Sequence, residues 1–306
     1  MPVPNPTDLL AFRVVVLLGG LGLASYQDLK AREVSDGVWQ AMGLLGAAVG
    51  FVVVWGNPLG VVLWALVSIW ALEHLFAWDA PLERYSERLP GWVELGMYIA
   101  ILATIIACAV EFGVGESGVP IAVIGAAGAI LLARGLFEVG VLYGGADAKA
   151  LMMAGLLIPI DATPLWSPPV AAVLLGYYPF ALTVLIDAAL FAIVVPVAIA
   201  IRNVSAHEFV FPRGFTGYTI PVEELPKRYV WIKDPMFSGG RSDDESEPQT
   251  TEEDQTLRQR QADELTKKGV TRVWVTPQLP FILWILAGTV AALVAGNLLF
   301  DLIGAL

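Results

Sequence analysis

Long apolar runs dominate the chain, and short polar segments separate them. Eight runs are candidate membrane crossings, at roughly 8–26, 37–55, 59–78, 92–111, 119–139, 147–160, 174–201 and 278–303. The sixth is short for a full span. It must be tilted, broken or extended by the turn-rich DATPLWSPP that follows it. The first run has no basic leader segment and no small-residue cleavage site, so it reads as a span and not as a removable signal peptide. No repeat relates one group of spans to another.

The pattern changes over 202–277. This segment opens with the strand-like HEFVFPRGFTGYTIPVEELPKRYVWI and closes with the strand-like GVTRVWVTP. Between them lies SGGRSDDESEPQTTEEDQTLRQRQADELTKKG, an acidic linker followed by a short amphipathic helix. The patterning therefore predicts an all-α polytopic membrane protein of about eight transmembrane helices. A small α+β or β-rich cytoplasmic insert precedes the last helix. In residues, 1–201 form the membrane domain, 202–277 the soluble insert and 278–306 the final span.

Charge placement orients the spans. With strict alternation, 27–36, 79–91, 140–147 and 202–277 face one side. Those segments and the helix ends beside them hold Lys30, Arg32, Arg84, Arg88, Arg134, Lys149, Arg202 and every later basic residue. The opposite loops, GNP, EFGVGESG and DATPLWSPP, hold no Lys or Arg; Arg13 alone departs from the pattern. The positive-inside rule makes the basic side cytoplasmic and puts the amino terminus outside. Four spans separate Asp28 from Asp147, an even number, so both carboxylates fall at the cytoplasmic membrane edge.

Composition agrees with this picture. Of 306 residues, 57% are hydrophobic and 15% charged. The net charge is −11, and within the insert the acids cluster in the linker SDDESEPQTTEED. That sign excludes a nucleic-acid surface and fits a halophile's salt-rich cytoplasm, where self-repulsion is screened. Cys108 is the single cysteine, which excludes an internal disulfide and a cysteine-rich zinc site.

Several polar groups compete as sites. GESG, Gly115 to Gly118, is similar to the serine loop of a rhomboid-type protease. Ser117 would need a histidine base, yet His74 and His207 lie on the other side of the membrane. Neither histidine belongs to an HExxH pattern. Asp187 sits inside the seventh span, neutral or paired with Arg13, and reads as structural. Glu73 and His74 read as an interfacial pair. At the membrane edge, SYQDLKAREVSDGVW places Asp28 two residues before Lys30. YGGADAKALM places Asp147 two residues before Lys149. Singly each aspartate is a solvated helix end, with Asp147 an N-cap. Together they are two acids on one membrane face.

GGADAK resembles the G-x-h-D motif, with h hydrophobic, of the GxGD aspartyl membrane proteases. The pair DLKAREV and GGADAK resembles, more narrowly, the archaeal preflagellin and type IV prepilin peptidases. FPRGFTGYTIPVEEL and RVWVTPQLPF are similar to that family's archaeal soluble insert. The resemblance implies catalysis by Asp28 and Asp147, with Gly144 as the leading glycine. Gly145, Ala146, Lys149, Lys30 and Arg32 would support the motifs. Ala146 stands where many relatives have glycine, VSD replaces the common IPN, and an extra helical pair separates the aspartates. The expected activity is cleavage of prepilin or prearchaellin signal peptides at the cytoplasmic face, with no metal or organic cofactor. Lys30, Arg32 and Lys149 are expected to meet lipid headgroups or stabilise the local fold. The competing class is an ion-coupled transporter using intramembrane carboxylates; a non-catalytic scaffold is a third.

Overall fold

The computed structural model describes residues 6–77, 118–142, 144–159, 179–232 and 251–304, with scattered positions between 96 and 110. The structure is mostly helical with one small sheet. The expected crossing at 92–111, the outer loops EFGVGESG and DATPLWSPP, Cys108, Ser117 and the acidic linker lie largely or wholly outside the described residues.

The chain divides into two compact units. The first comprises Met1–Gln27, Val34–Phe191 and Phe281–Leu306; the second comprises Asp28–Glu33 and Ala192–Pro280. Helix α1 (Pro6–Ala31) contributes to both. The first unit also contains α2 (Asp36–Val54), α3 (Pro58–Ala77), α4 (Gly118–Glu138) and α5 (Gly145–Leu157). It is completed by α6 (Phe180–Ala192), but for its last residue, and by α9 (Phe281–Val294) and α10 (Leu298–Gly304).

Among the described residues, four helical stretches are long and apolar enough to cross a bilayer: Leu9–Ala31, Asp36–Val54, Pro58–Leu75 and Phe180–Ser205. The last of these is α6 continued by α7 (Val194–Ser205) after a turn at Ile193. A fifth arises if α9 and α10, bent by 54° at their junction, form one broken span. Large apolar side chains on these helices stay exposed, among them Val15, Ile69 and Ile201. In water such a surface would be a liability, whereas lipid tails match it. The chain is a multi-pass membrane protein.

The sixth apolar run is a short helix among the described residues. Helix α5 has 13 residues, about 20 Å at 1.5 Å per residue against a bilayer core about 30 Å thick, and the segment expected to extend it, 160–169, lies outside the described residues. Every residue from Ala148 to Leu157 is buried. Its length and all-round apolarity suit the centre of a bundle. It packs chiefly against α4 and α2, and also against α9 and α3. Around it Trp39, Trp64, Trp70 and Phe180 are fully buried. The Trp64 indole finds its hydrogen-bond partner across the α2–α3 contact, donating to Ala47 O at 2.8 Å.

The second unit holds a three-stranded antiparallel sheet in the order β1-β3-β2. Its strands are β1 (Tyr218–Pro221), β2 (Val230–Ile232) and β3 (Arg272–Pro277). Register pairs Ile220 with Val273 and Val230 with Pro277. Alternation puts Val273 and Val275 on one face, where they join Ile220, Val222, Leu225 and Val230. Helix α8 (Thr251–Lys267) adds Ala262 and Leu265 to that core, the amphipathic helix expected there. Asn203, fully buried in α7, donates to Gly214 O at 2.9 Å and Gly217 O at 2.7 Å. The side-chain amide thereby ties the Phe209–Gly217 loop to the helix.

Close packing of α5 on α4 gives a direct check. A Cβ on Gly155 would lie 1.9 Å from the Ala129 methyl carbon. Gly155→Leu should therefore lower the melting temperature in detergent, with overpacking costing about 1–3 kcal/mol. An unchanged melting temperature would show that α4 and α5 are not packed this closely.

Candidate active site

The local geometry of Asp147 follows from the start of α5. Gly144 is the N-cap, with φ −100° and ψ 126°. The turn expected over GGADAK therefore ends at Gly144, and Gly145, Ala146 and Asp147 already lie in the helix. Asp147 donates its N–H to Gly144 O at 3.1 Å. Its carboxylate folds back over the cap, with Oδ2 2.9 Å from where a Cβ on Gly144 would sit. Its φ is negative, so backbone freedom is not at issue, and a Cβ there would displace the end of the Asp147 side chain. The side chain of Asp147 is half-buried. It sits in the first turn, where the helix dipole favours a negative charge.

Lys149 does not reach for headgroups. It is 2% exposed, and its Nζ donates to Asp36 Oδ1 at 2.7 Å. Asp36 is the first residue of α2. The backbone before it is also held, because Ser35 N–H donates to Gln27 Oε1 at 2.9 Å.

Asp28 belongs to the second unit, half-buried in the last turns of α1. Its carbonyl accepts from Arg32 N at 2.9 Å. Arg32 adopts a left-handed backbone with φ 58°, uncommon for a side chain of this size. Its guanidinium lies over the Tyr229 ring at 5.2 Å, and that of Arg258 lies at 5.1 Å from the same ring. Cation–π contact thus links the Asp28 segment to the sheet-bearing part of its own unit. Lys30 is exposed at the end of α1, where a cation suits the negative end of the helix. Asp28 and Asp147 fall in different units.

The other polar candidates have structural partners. Asp187 is fully buried, and its Oδ1 accepts from Leu298 N at 3.0 Å at the start of α10. His74 Nδ1 lies 3.1 Å from Glu73 Oε2 and 2.9 Å from Trp70 O. Among the described residues, no three His, Cys, Asp or Glu side chains gather as metal ligands. Gln27, Asp36 and Tyr229 were not marked as supporting residues by the motifs. The signal for Asp36 was its place in VSD, at the return to helix after the Asp28 segment.

Comparison with known proteins bears on the second unit. Residues 211–298 match the family model described as Archaeal Peptidase A24 C-terminus, Type II. The match supports an archaeal prepilin/preflagellin peptidase family. No curated protein matches the chain. The matched stretch of this prepilin-type peptidase covers all three strands, α8 and α9. It includes FPRGFTGYTIPVEEL and RVWVTPQLPF, the two runs that resemble the family's soluble insert. Asp28 and Asp147 lie outside it.

Gly144 offers a focused test of the Asp147 geometry. Gly144→Ala should push the carboxylate off the cap and lower peptidase turnover by about tenfold or more. The yield of folded protein should hold, since alanine suits an extended φ and ψ. Equal turnover in mutant and wild type would mean that the fold-back of Asp147 has no bearing on activity.

Proposed function

We propose that this peptidase is an aspartic endopeptidase that uses Asp28 and Asp147 together. The observation that carries the reading is the family match over the insert. Two further features support it: the motif context of both aspartates, and an even count of spans that gives them one membrane face. The reading includes eight crossings, an external amino terminus and catalysis at the cytoplasmic surface. The membrane domain 1–201 would carry the chemistry, the insert 202–277 would sit in the cytoplasm, and 278–306 would complete the bundle.

The chemistry follows from bringing two carboxyl groups within hydrogen-bond reach. Two adjacent negative charges repel, so the pair holds one proton between them near neutral pH. The ionised member takes a proton from water as that water attacks the scissile carbonyl. The protonated member hydrogen-bonds the carbonyl oxygen, then passes its proton to the leaving amine. No bond is made to the enzyme, and no metal or organic cofactor enters the scheme. The substrate is a membrane-docked pilin or archaellin precursor of an archaeal cell, cut before its hydrophobic segment. The chain's net charge of −11 accords with a halophilic cytoplasm.

The transporter alternative draws its strength from Asp187. That carboxylate receives the amide of Leu298, a structural use that lessens the case for an ion-carrying role.

Membranes containing wild type, Asp28→Asn or Asp147→Asn are incubated with a tagged pilin precursor and the product is followed by gel. Either substitution should reduce cleavage by about 10²–10⁴-fold or more, the usual contribution of a positioned acid or base. Asp187→Asn should still cleave. Full cleavage by a stably inserted Asp28 or Asp147 mutant would rule out the two-aspartate mechanism.

A further inference from the structure

We infer that the Asp36–Lys149 ion pair sets the rotation of α5 and so aims Asp147; Asp36 and Lys149 are positioning residues for the reaction. The inference rests on the two-aspartate reading above.

The physical case begins with what α5 lacks. From Ala148 to Leu157 every residue is buried, and Lys149 is the single charged one in that stretch. A helix apolar on all sides has no polar face to fix its rotation within a bundle. One buried ammonium changes that. Leaving it without a counter-charge is expensive, so the favoured rotation is the one that lets Nζ reach Asp36. The contact is short, at 2.7 Å, and the Lys149 side chain is 3% exposed while that of Asp36 is 40% exposed. The pair therefore runs from the bundle interior toward its edge, with the carboxylate as the outer end.

Helical geometry passes this constraint to Asp147. Residues two apart on an α-helix point about 200° apart. Lys149 directed at α2 turns Asp147 to the opposite side of α5. There it is half-buried, whereas its neighbours from Ala148 onward are buried. The anchor is itself held, because Asp36 opens α2 directly after Ser35, whose N–H is bound by Gln27 Oε1. A slip of α5 by one residue would swing Asp147 by about 100°. The ion pair opposes such a slip.

The test uses the full-length protein in detergent or membranes, with a tagged pilin precursor as substrate. Kinetics and melting temperatures are measured for Asp36→Asn, Asp36→Glu, Lys149→Met and the double variant Asp36→Asn/Lys149→Met. Asp147→Asn serves as the reference for the underlying reading. Asp36→Asn and Lys149→Met should lower kcat by about 10–100-fold with KM within about threefold, the signature of misplacement and not of lost binding. Asp36→Glu keeps the charge at a half-exposed position and should recover to within about threefold of wild-type kcat. The double variant carries no unpaired buried charge, so its melting temperature should return toward wild type. Its kcat should stay low, because nothing then sets the rotation. A wild-type kcat in Asp36→Asn would overturn the inference. So would a kcat that recovers with melting temperature in the double variant, since the pair would then act on stability alone. Cleavage by Asp147→Asn is a separate failure, of the two-aspartate reading itself.

Discussion

An ammonium group among apolar helices must be matched by an opposite charge, and the match between Lys149 and Asp36 organises the membrane unit. Helix α5 is short, apolar and enclosed, and α4 and α2 supply most of its packing. Dispersion and burial hold it in place but discriminate weakly between rotations, because each side offers similar apolar surface. The buried cation discriminates strongly. It selects the arrangement in which the start of α5 lies against the start of α2. It also leaves the neighbouring aspartate on the other side of the helix.

The same constraint is met at several other polar groups in apolar settings. The Trp64 indole N–H is satisfied by Ala47 O across two helices. Asp187 receives the Leu298 amide where α9 and α10 break, and Asn297 Oδ1 accepts from Phe300 N one turn on. A helix that breaks within a membrane exposes backbone N–H groups that no lipid can satisfy, and these side chains supply acceptors. In the second unit the Asn203 amide does similar work for two carbonyls of a loop. The intramembrane acid that most suggested ion transport is thus part of how the last helix pair is built.

Much of this was legible in the residues. Long apolar runs marked the helices, alternation in YTIP and RVWVTP marked strands, and two quoted runs of the insert fall within the family match. What stayed hidden were relations between distant residues. Lys149 and Asp36 are separated by 113 positions, and no local pattern announces their contact. A lysine near a membrane edge has two comfortable homes, the headgroups or a buried partner, and hydropathy does not choose between them. The sixth run stayed open for a related reason: an apolar run of this length fits a bundle core as well as an incomplete span. Gly144 illustrates a third limit. A glycine before a helix suggests a flexible turn, whereas its φ here is negative and the carboxylate of Asp147 lies against it.

The central claim is that Asp28 and Asp147 share one site, and proximity tests it most directly. In a Cys108→Ser background, Asp28→Cys and Asp147→Cys are combined in one chain and treated in native membranes with a short bifunctional thiol reagent. Asp36→Cys with Lys149→Cys is the positive control, since those side chains are in contact. The account predicts an intramolecular cross-link for both pairs. A cross-link in the control pair, with none between positions 28 and 147 in either the presence or absence of a precursor substrate, would contradict it.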